Sequence, residues 1–153
     1  MTPEVAARQY IAEALAPNEL LTISLLSRLN CLSVDDLEYF KQLWPGIPVD
    51  RKRHVISQLV KLSQDNFRLN FSEIFVYCLY DTDSRVSADA IAGLSGEENY
   101  CYVSPLVHIL KKDPTYEVKD AAVKALGNFA MLGANGKLSE SLINKIYDAL
   151  LGL

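Results

Sequence analysis

Apolar residues recur three and four positions apart along almost the whole chain, and strict strand-like alternation is nearly absent. Thr2, Pro3 and Glu4 supply an N-cap, a first-turn proline and an acid at the positive helix end, predicting a helix to about Ala16. Pro17-Asn18 opens a second pattern with Leu20, Leu21, Ile23, Leu25, Leu26 and Leu29. Ser33 with Asp36 starts a third, carrying Leu37, Phe40, Leu43 and Trp44 until Pro45-Gly46 stops it. Asp50 is the expected cap of a fourth, whose stripe is Val55, Leu59, Val60 and Leu62. Asn70 with Glu73 opens the fifth, which holds Phe71, Ile74, Phe75, Cys78 and Leu79. Asp83 starts the sixth, and Ser95-Gly96 ends it. Ser104-Pro105 begins a seventh through Lys112, and Asp113-Pro114-Thr115 the longest, to about Met131. After the turn Gly133-Ala134-Asn135-Gly136, Ser139 caps a last helix through Leu151. About nine helices in antiparallel hairpins are predicted.

Two of these segments repeat each other. DTDSRVSADAIAGLS from Asp81 and DPTYEVKDAAVKALG from Asp113 are in register at an offset of 32 residues. Val86 matches Val118, Ala90 matches Ala122, Ile91 matches Val123 and Leu94 matches Leu126. A weaker copy, Val55 to Leu59, parallels Ala90 to Leu94 at an offset of 35. Such a period with two helical patterns per period marks an all-α superhelix, in which neighbouring hairpins supply each other's core. The predicted layout is one domain over residues 1–153: a capping hairpin to residue 32, repeats at 33–63, 70–95 and 101–131, and a terminal helix at 139–151. Val86, Ala90, Leu94, Val118, Ala122, Leu126 and Phe129 are the expected core.

The pattern D-x-x-x-x-V-x-x-x-A-x-x-x-L after an apolar helix resembles the HEAT repeat, and is most similar to the short bacterial HEAT-like repeats also found in phycobilin lyases. The resemblance covers Glu73 to Phe129, with a fainter extension over Ser33 to Leu62. The stretch from Trp44 to Gly93 also looks like an uncharacterised bacterial group of HEAT-repeat proteins. It implies a right-handed solenoid and carries no activity with it. The family usually places an arginine after the repeat valine, where it reaches an aspartate of the next repeat. The matching residues here are Ser87 and Lys119, so a weakened polar ladder is expected.

Bulk properties narrow the function classes. A net charge of −4 over 153 residues argues against a nucleic-acid surface. The sharpest basic cluster, Arg51, Lys52, Arg53 and His54, reads as a solvated first helical turn. Cys31, Cys78 and Cys101 lie far apart in apolar patterns, which suits buried, inert thiols in a reducing cytoplasm. The opening MTPEVAARQY lacks a basic segment followed by an apolar one, so no secretory signal is expected. No apolar run approaches the roughly 20 residues of a membrane span. His54 and His108 have no closed ligand set around them, and Cys101 with His108 reads as a core thiol near a half-exposed ring. The carboxylate pairs Asp81/Asp83 and Glu97/Glu98 fit helix starts and turns better than acid–base chemistry. Tyr77, Tyr80, Tyr100 and Tyr102 read as amphipathic filler. No catalytic, cofactor or metal site is expected.

The leading expectation is a non-enzymatic scaffold that binds a protein or peptide. With Val118, Ala122, Ala125 and Phe129 facing inward, helical periodicity turns Asp120, Val123 and Lys124 outward. The equivalents in the earlier repeats are Ala88, Ile91 and Ala92, then Arg53, Ile56 and Ser57. Arg53, Ile56, Ser57, Ile91, Asp120, Val123 and Lys124 are thus the candidate partner-binding residues, with Ile56, Ile91 and Val123 either an apolar groove or packing between repeats. The alternatives are a bilin lyase-like enzyme, which needs a deep cleft, or a HEAT-like DNA glycosylase, which needs a basic concave surface. The apolar residues Leu138, Leu142, Ile143, Ile146, Leu150, Leu151 and Leu153 suggest a weak dimer or a partner contact through the terminal helix, or a helix folded flat as a cap.

Overall fold

The computed structural model describes residues 3–95, 100–112, 115–134 and 140–152. Among these are nine α-helices and no strand: α1 (Pro3–Leu15), α2 (Ile23–Ser27), α3 (Val34–Leu43), α4 (Val49–Asp65), α5 (Ser72–Cys78), α6 (Ser84–Leu94), α7 (Val103–Lys112), α8 (Tyr116–Ala134) and α9 (Glu140–Leu151). Short 3-10 turns at Trp44–Gly46 and Tyr100–Tyr102 precede α4 and α7. The expected caps at Thr2 and Ser139, the start at Asp113-Pro114 and the pair Glu97/Glu98 lie outside the described residues.

Local chemistry explains where the helices begin. The Ser33 hydroxyl accepts from the Asp36 N–H at 3.2 Å, and the Asp83 carboxylate from the Val86 N–H at 3.1 Å, as their spacing foretold. Two starts differ from expectation. The Thr22 hydroxyl captures the Leu25 N–H at 3.1 Å, so α2 begins at Ile23 rather than after Pro17-Asn18, and Leu20 is left 80% exposed. Pro48, not Asp50, stands at the start of α4: its carbonyl accepts from Lys52 N–H at 3.0 Å, and Asp50 falls within the first turn. The first shift follows from the Thr22 hydroxyl reaching a free N–H of the first turn, whereas no side chain caps the start at Pro48.

Packing follows chain order. α4 lies against α6, and α6 against α8, while α5 and α7 pack on α6 and α8 respectively. Arg53 near the start of α4 meets Asp83 at the start of α6, and Ser84 of α6 meets Glu117 of α8. The three helices therefore run in the same direction. Their shared seam is built from Val55, Ile56 and Leu59, from Val86, Ala90, Ile91 and Leu94, and from Val118, Ala122 and Leu126, each at most 1% exposed. The seven expected core residues are all buried. The pattern Arg51, Lys52, Val55, Ile56, Leu59 buried in α4 and Val86, Ser87, Ala90, Ile91, Leu94 buried in α6 matches position for position at an offset of 35.

At the N-terminal end, α1 touches α3 and α4. At the other end, α9 lies across both α7 and α8. Its Ile146 and Ala149 are buried and Leu142, Ile143 and Leu150 partly so, whereas Glu140, Ser141, Asn144, Lys145 and Asp148 face outward. Most of the apolar side from which self-association was expected is thus covered by the chain itself, and Tyr147 and Leu151 stay exposed.

Gly93 shows how closely a hairpin is fitted. A methyl group there would sit 2.6 Å from Cε2 of Phe75, a ring 1% exposed and held edge-on by Phe71 at a centroid distance of 6.4 Å. In the next hairpin the equivalent residues, 32 positions on, are the smaller Val107 and the larger Ala125, both buried. In a free helix Gly93→Ala would gain about 1 kcal/mol; here overpacking outweighs it. We expect Gly93→Ala to destabilise by about 1–3 kcal/mol in thermal or urea melts. Adding Phe75→Leu should make the double variant more stable than the sum of the single effects. Additive losses would show that the ring and the glycine are not coupled.

Candidate functional site

The basic run at the start of α4 is not a solvated turn. Arg51 is 7% exposed and Lys52 8%. Arg51 Nε–H donates to the carbonyl of Ala14 at 3.1 Å, in the last turn of α1, where a cation meets the negative end of the helix. Its Nη2 is buried with no partner among the described residues. Burial weakens the guanidinium's hold on its proton, and the charge of Glu19 opposes that. The Lys52 ammonium lies over the Trp44 ring, 5.4 Å from its centre, while the indole N–H donates to Asp81 at 2.9 Å. Phe40 stacks on Trp44 at 5.1 Å and meets the edge of Tyr77 at 6.3 Å. Cations that sequence spacing assigned to solvent are thus consumed in joining α1, α3, α4 and α5.

Arg53 ties α4 to the start of α6. Its Nε and Nη2 donate to the two oxygens of Asp83 at 3.0 and 2.7 Å, a fork-on-fork pair. Asp81 in turn accepts from the Asp83 N–H at 3.0 Å. Ser87 instead donates its hydroxyl to the carbonyl of Leu79, inside its own hairpin. Between α6 and α8 the rung is only Ser84 to Glu117 at 3.2 Å. The polar contact is therefore a full ion pair between α4 and α6 and a single hydrogen bond between α6 and α8.

The expected concave row separates into buried and paired groups. Ile56 and Ile91 are 0% exposed and Ala88 9%, so they pack between helices and present nothing to a partner. Val123 is half-buried. Ser57 is half-buried, its hydroxyl donating to the carbonyl of His54 at 3.2 Å. Lys124 and Asp120 pair with each other at 2.9 Å on the outer side of α8. Of the two readings of the row, Ile56 and Ile91 follow the packing one, being fully buried, while Val123 keeps part of its surface exposed.

Cysteine placement also departs from expectation. Cys78 is buried, and burial pushes its thiol pKa upward. Cys31 and Cys101 are exposed. Cys31 holds a φ of 49° where the chain turns between α2 and α3, and its N–H donates to the carbonyl of Asn70 at 3.0 Å. Tyr77 and Tyr102 are partly buried against the core as filler, whereas Tyr80 is 62% exposed.

An open groove lies elsewhere, at the C-terminal ends of α4 and α6. It encloses about 400 Å³ and is lined by Ser63, Gln64, Phe67, Leu69, Ala92, Gly93 and Ser95. Phe67 at its lip is 91% exposed. Helical periodicity could not reveal it, because Phe67 sits in the polar loop Asn66-Phe67-Arg68, off every apolar stripe. The one available signal was an aromatic residue without a stripe to belong to.

The Arg53 fork holds the Asp83 carboxyl below the usual carboxylate range, with the Val86 N–H adding to the effect and partial burial opposing it. A depressed native pKa contributes stability above the unfolded value of about 4, lost as pH falls through the native pKa. Asn can still cap α6 but cannot pair as an ion. Thermal melts should therefore show Asp83→Asn below the parent at pH 7, with the gap closing as pH falls through the depressed native pKa of Asp83. A gap independent of pH would exclude the ionic contribution. No protein-family model, curated protein or solved structure matches the chain.

Proposed function

We propose that the chain is a non-enzymatic HEAT-type scaffold, a right-handed solenoid of helix hairpins that binds a protein or peptide in the cytoplasm. The observation that carries this reading is the side-by-side layer α4–α6–α8, whose buried positions recur at the repeat offsets. Stacked hairpins of this kind build extended surfaces without needing a catalytic centre. No helix among the described residues is long and apolar enough to cross a membrane, which is compatible with that setting. The binding face is assigned to the outward groups of the layer: Arg53 and Ser57 on α4, and Asp120 and Lys124 on α8, with Val123 beside them.

Ile56 and Ile91 are unsuitable for testing this face, because a charge at either site would enter the core. Ser57→Glu with Lys124→Glu changes the outward surface and leaves the seam intact. Captured proteins from the native cell extract, identified by mass spectrometry, should include species retained by the parent and lost by this double variant at equal melting temperature. Identical capture by both forms would reject the face.

A further inference from the structure

The groove at the ends of α4 and α6 has a chemistry of its own. Ser63 donates its hydroxyl hydrogen to the Val60 carbonyl at 2.8 Å, and Ser95 does the same to Ala92 at 2.8 Å. Both hydroxyls therefore present lone pairs rather than hydrogens to the groove. α4 and α6 run in the same direction, so the negative ends of two helix dipoles meet at this edge. Neither helix has a Lys or Arg in its last turn, and α4 ends on Asp65. Lys61 and Arg68 are the nearest cations in sequence, and neither lines the groove. Among the described residues the lining offers the serine acceptors, the Gln64 amide, which both accepts and donates, two dipole ends and one aromatic face.

The aromatic face is held in place. The Asn66 N–H donates to Leu62 at 3.0 Å, and the Leu69 N–H to Asn66 at 3.1 Å. The Asn66 side chain accepts from the Arg68 N–H at 3.1 Å, and that of Asn30 from the Asn70 N–H at 2.6 Å. Phe67 thus stands outward on backbone pinned from both sides, with no core to fill. Ala92 and Gly93 keep the floor low beside it.

We propose that this groove receives a cationic side chain, an arginine or lysine of a partner peptide, with its charge against Phe67 and its N–H groups on the serine and helix-end oxygens. A donor-only planar or ammonium group fits the serine acceptors, the Gln64 amide oxygen and a π face, whereas a carboxylate would find only the Gln64 amide hydrogens among lone pairs and negative dipole ends. The proposal rests on the scaffold reading and adds the chemistry of the partner.

The test uses the full ¹⁵N-labelled chain and the peptide acetyl-Ala-Leu-Arg-Leu-Ala-amide, with citrulline or Glu replacing Arg as controls. The arginine peptide should shift the amide signals of Ser63, Gln64, Phe67 and Ser95. Its affinity should exceed that of the citrulline peptide by about threefold to tenfold, and the Glu peptide should leave these signals unmoved. Phe67→Ala should weaken binding about threefold or more at an unchanged melting temperature, since the ring packs on nothing. Gln64→Lys, which sets a fixed cation at the groove, should weaken it at least as far. An equal response to the Glu peptide, unchanged affinity in either variant, or no shift at these amides overturns the proposal. Shifts confined to the outward face of α4, α6 and α8 would overturn the groove and leave the scaffold reading standing. That reading fails separately, on the capture experiment, in which the groove is intact.

Discussion

Burial shared sideways between α4, α6 and α8 is what the other elements lean on, because none of these helices has a core of its own. α6 has 11 residues and α5 seven, both below the ~12–15 at which an isolated helix becomes marginal in water. Each gains stability only when Val86, Ala90, Ile91 and Leu94 are covered from both sides, by α4 and by α8. A fully buried aliphatic side chain contributes on the order of 1.5–3 kcal/mol. The small residues Ala90 and Ala122 let the helices approach closely, and the larger Ile56, Ile91 and Leu94 fill the space beside them. The same economy disqualifies Ile56 and Ile91 as a binding row: residues that hold the layer together cannot also face a partner.

The charged start of α4 extends this layer toward the N-terminus by a different means. α1 meets α4 through a buried guanidinium on its last-turn carbonyl, and Trp44 meets α4 through the Lys52 ammonium over its ring. A buried donor without a partner, such as Arg51 Nη2, costs about 1–3 kcal/mol. That cost makes this junction less favourable than the apolar seam and more dependent on geometry. Arg51 occupies the place of Val86 and Val118 in the later helices. A long cation thus stands where α4 meets α1 and α2, at the offset position that valine holds in α6 and α8.

Nearly all of the helix order was legible in the sequence, because caps and the 3.6-residue period act locally. Ser33 and Asp83 show this, each bonding the N–H three residues on. The core positions Val118, Ala122 and Leu126 were legible for a similar reason, since a repeat offset carries burial from one helix to the next. Three features were not. The fate of Arg51, Lys52 and Arg53 depends on which helix ends come near them, which spacing along the chain does not encode. The sideways direction of Ile56 and Ile91 depends on the distance between neighbouring helices, not on the angle around one of them. The groove depends on the loop bearing Phe67, where no periodicity exists.

That loop bears on how the scaffold proposed above would bind. The outward face of the layer is flat in chemistry, and its charges already pair within the chain, as Lys124 does with Asp120. A partner there must break or share pairs worth about 0–1 kcal/mol each, and gains little anchoring. At the ends of α4 and α6 the situation differs. The serine acceptors line an open groove, the Phe67 ring is 91% exposed, and the backbone beneath it is pinned by hydrogen bonds. An anchor that needs no ordering keeps more of its interaction energy as affinity. An exposed Phe in a pinned loop beside two helix ends is therefore the better anchoring point, and the outward face the better determinant of which partner can lie along it.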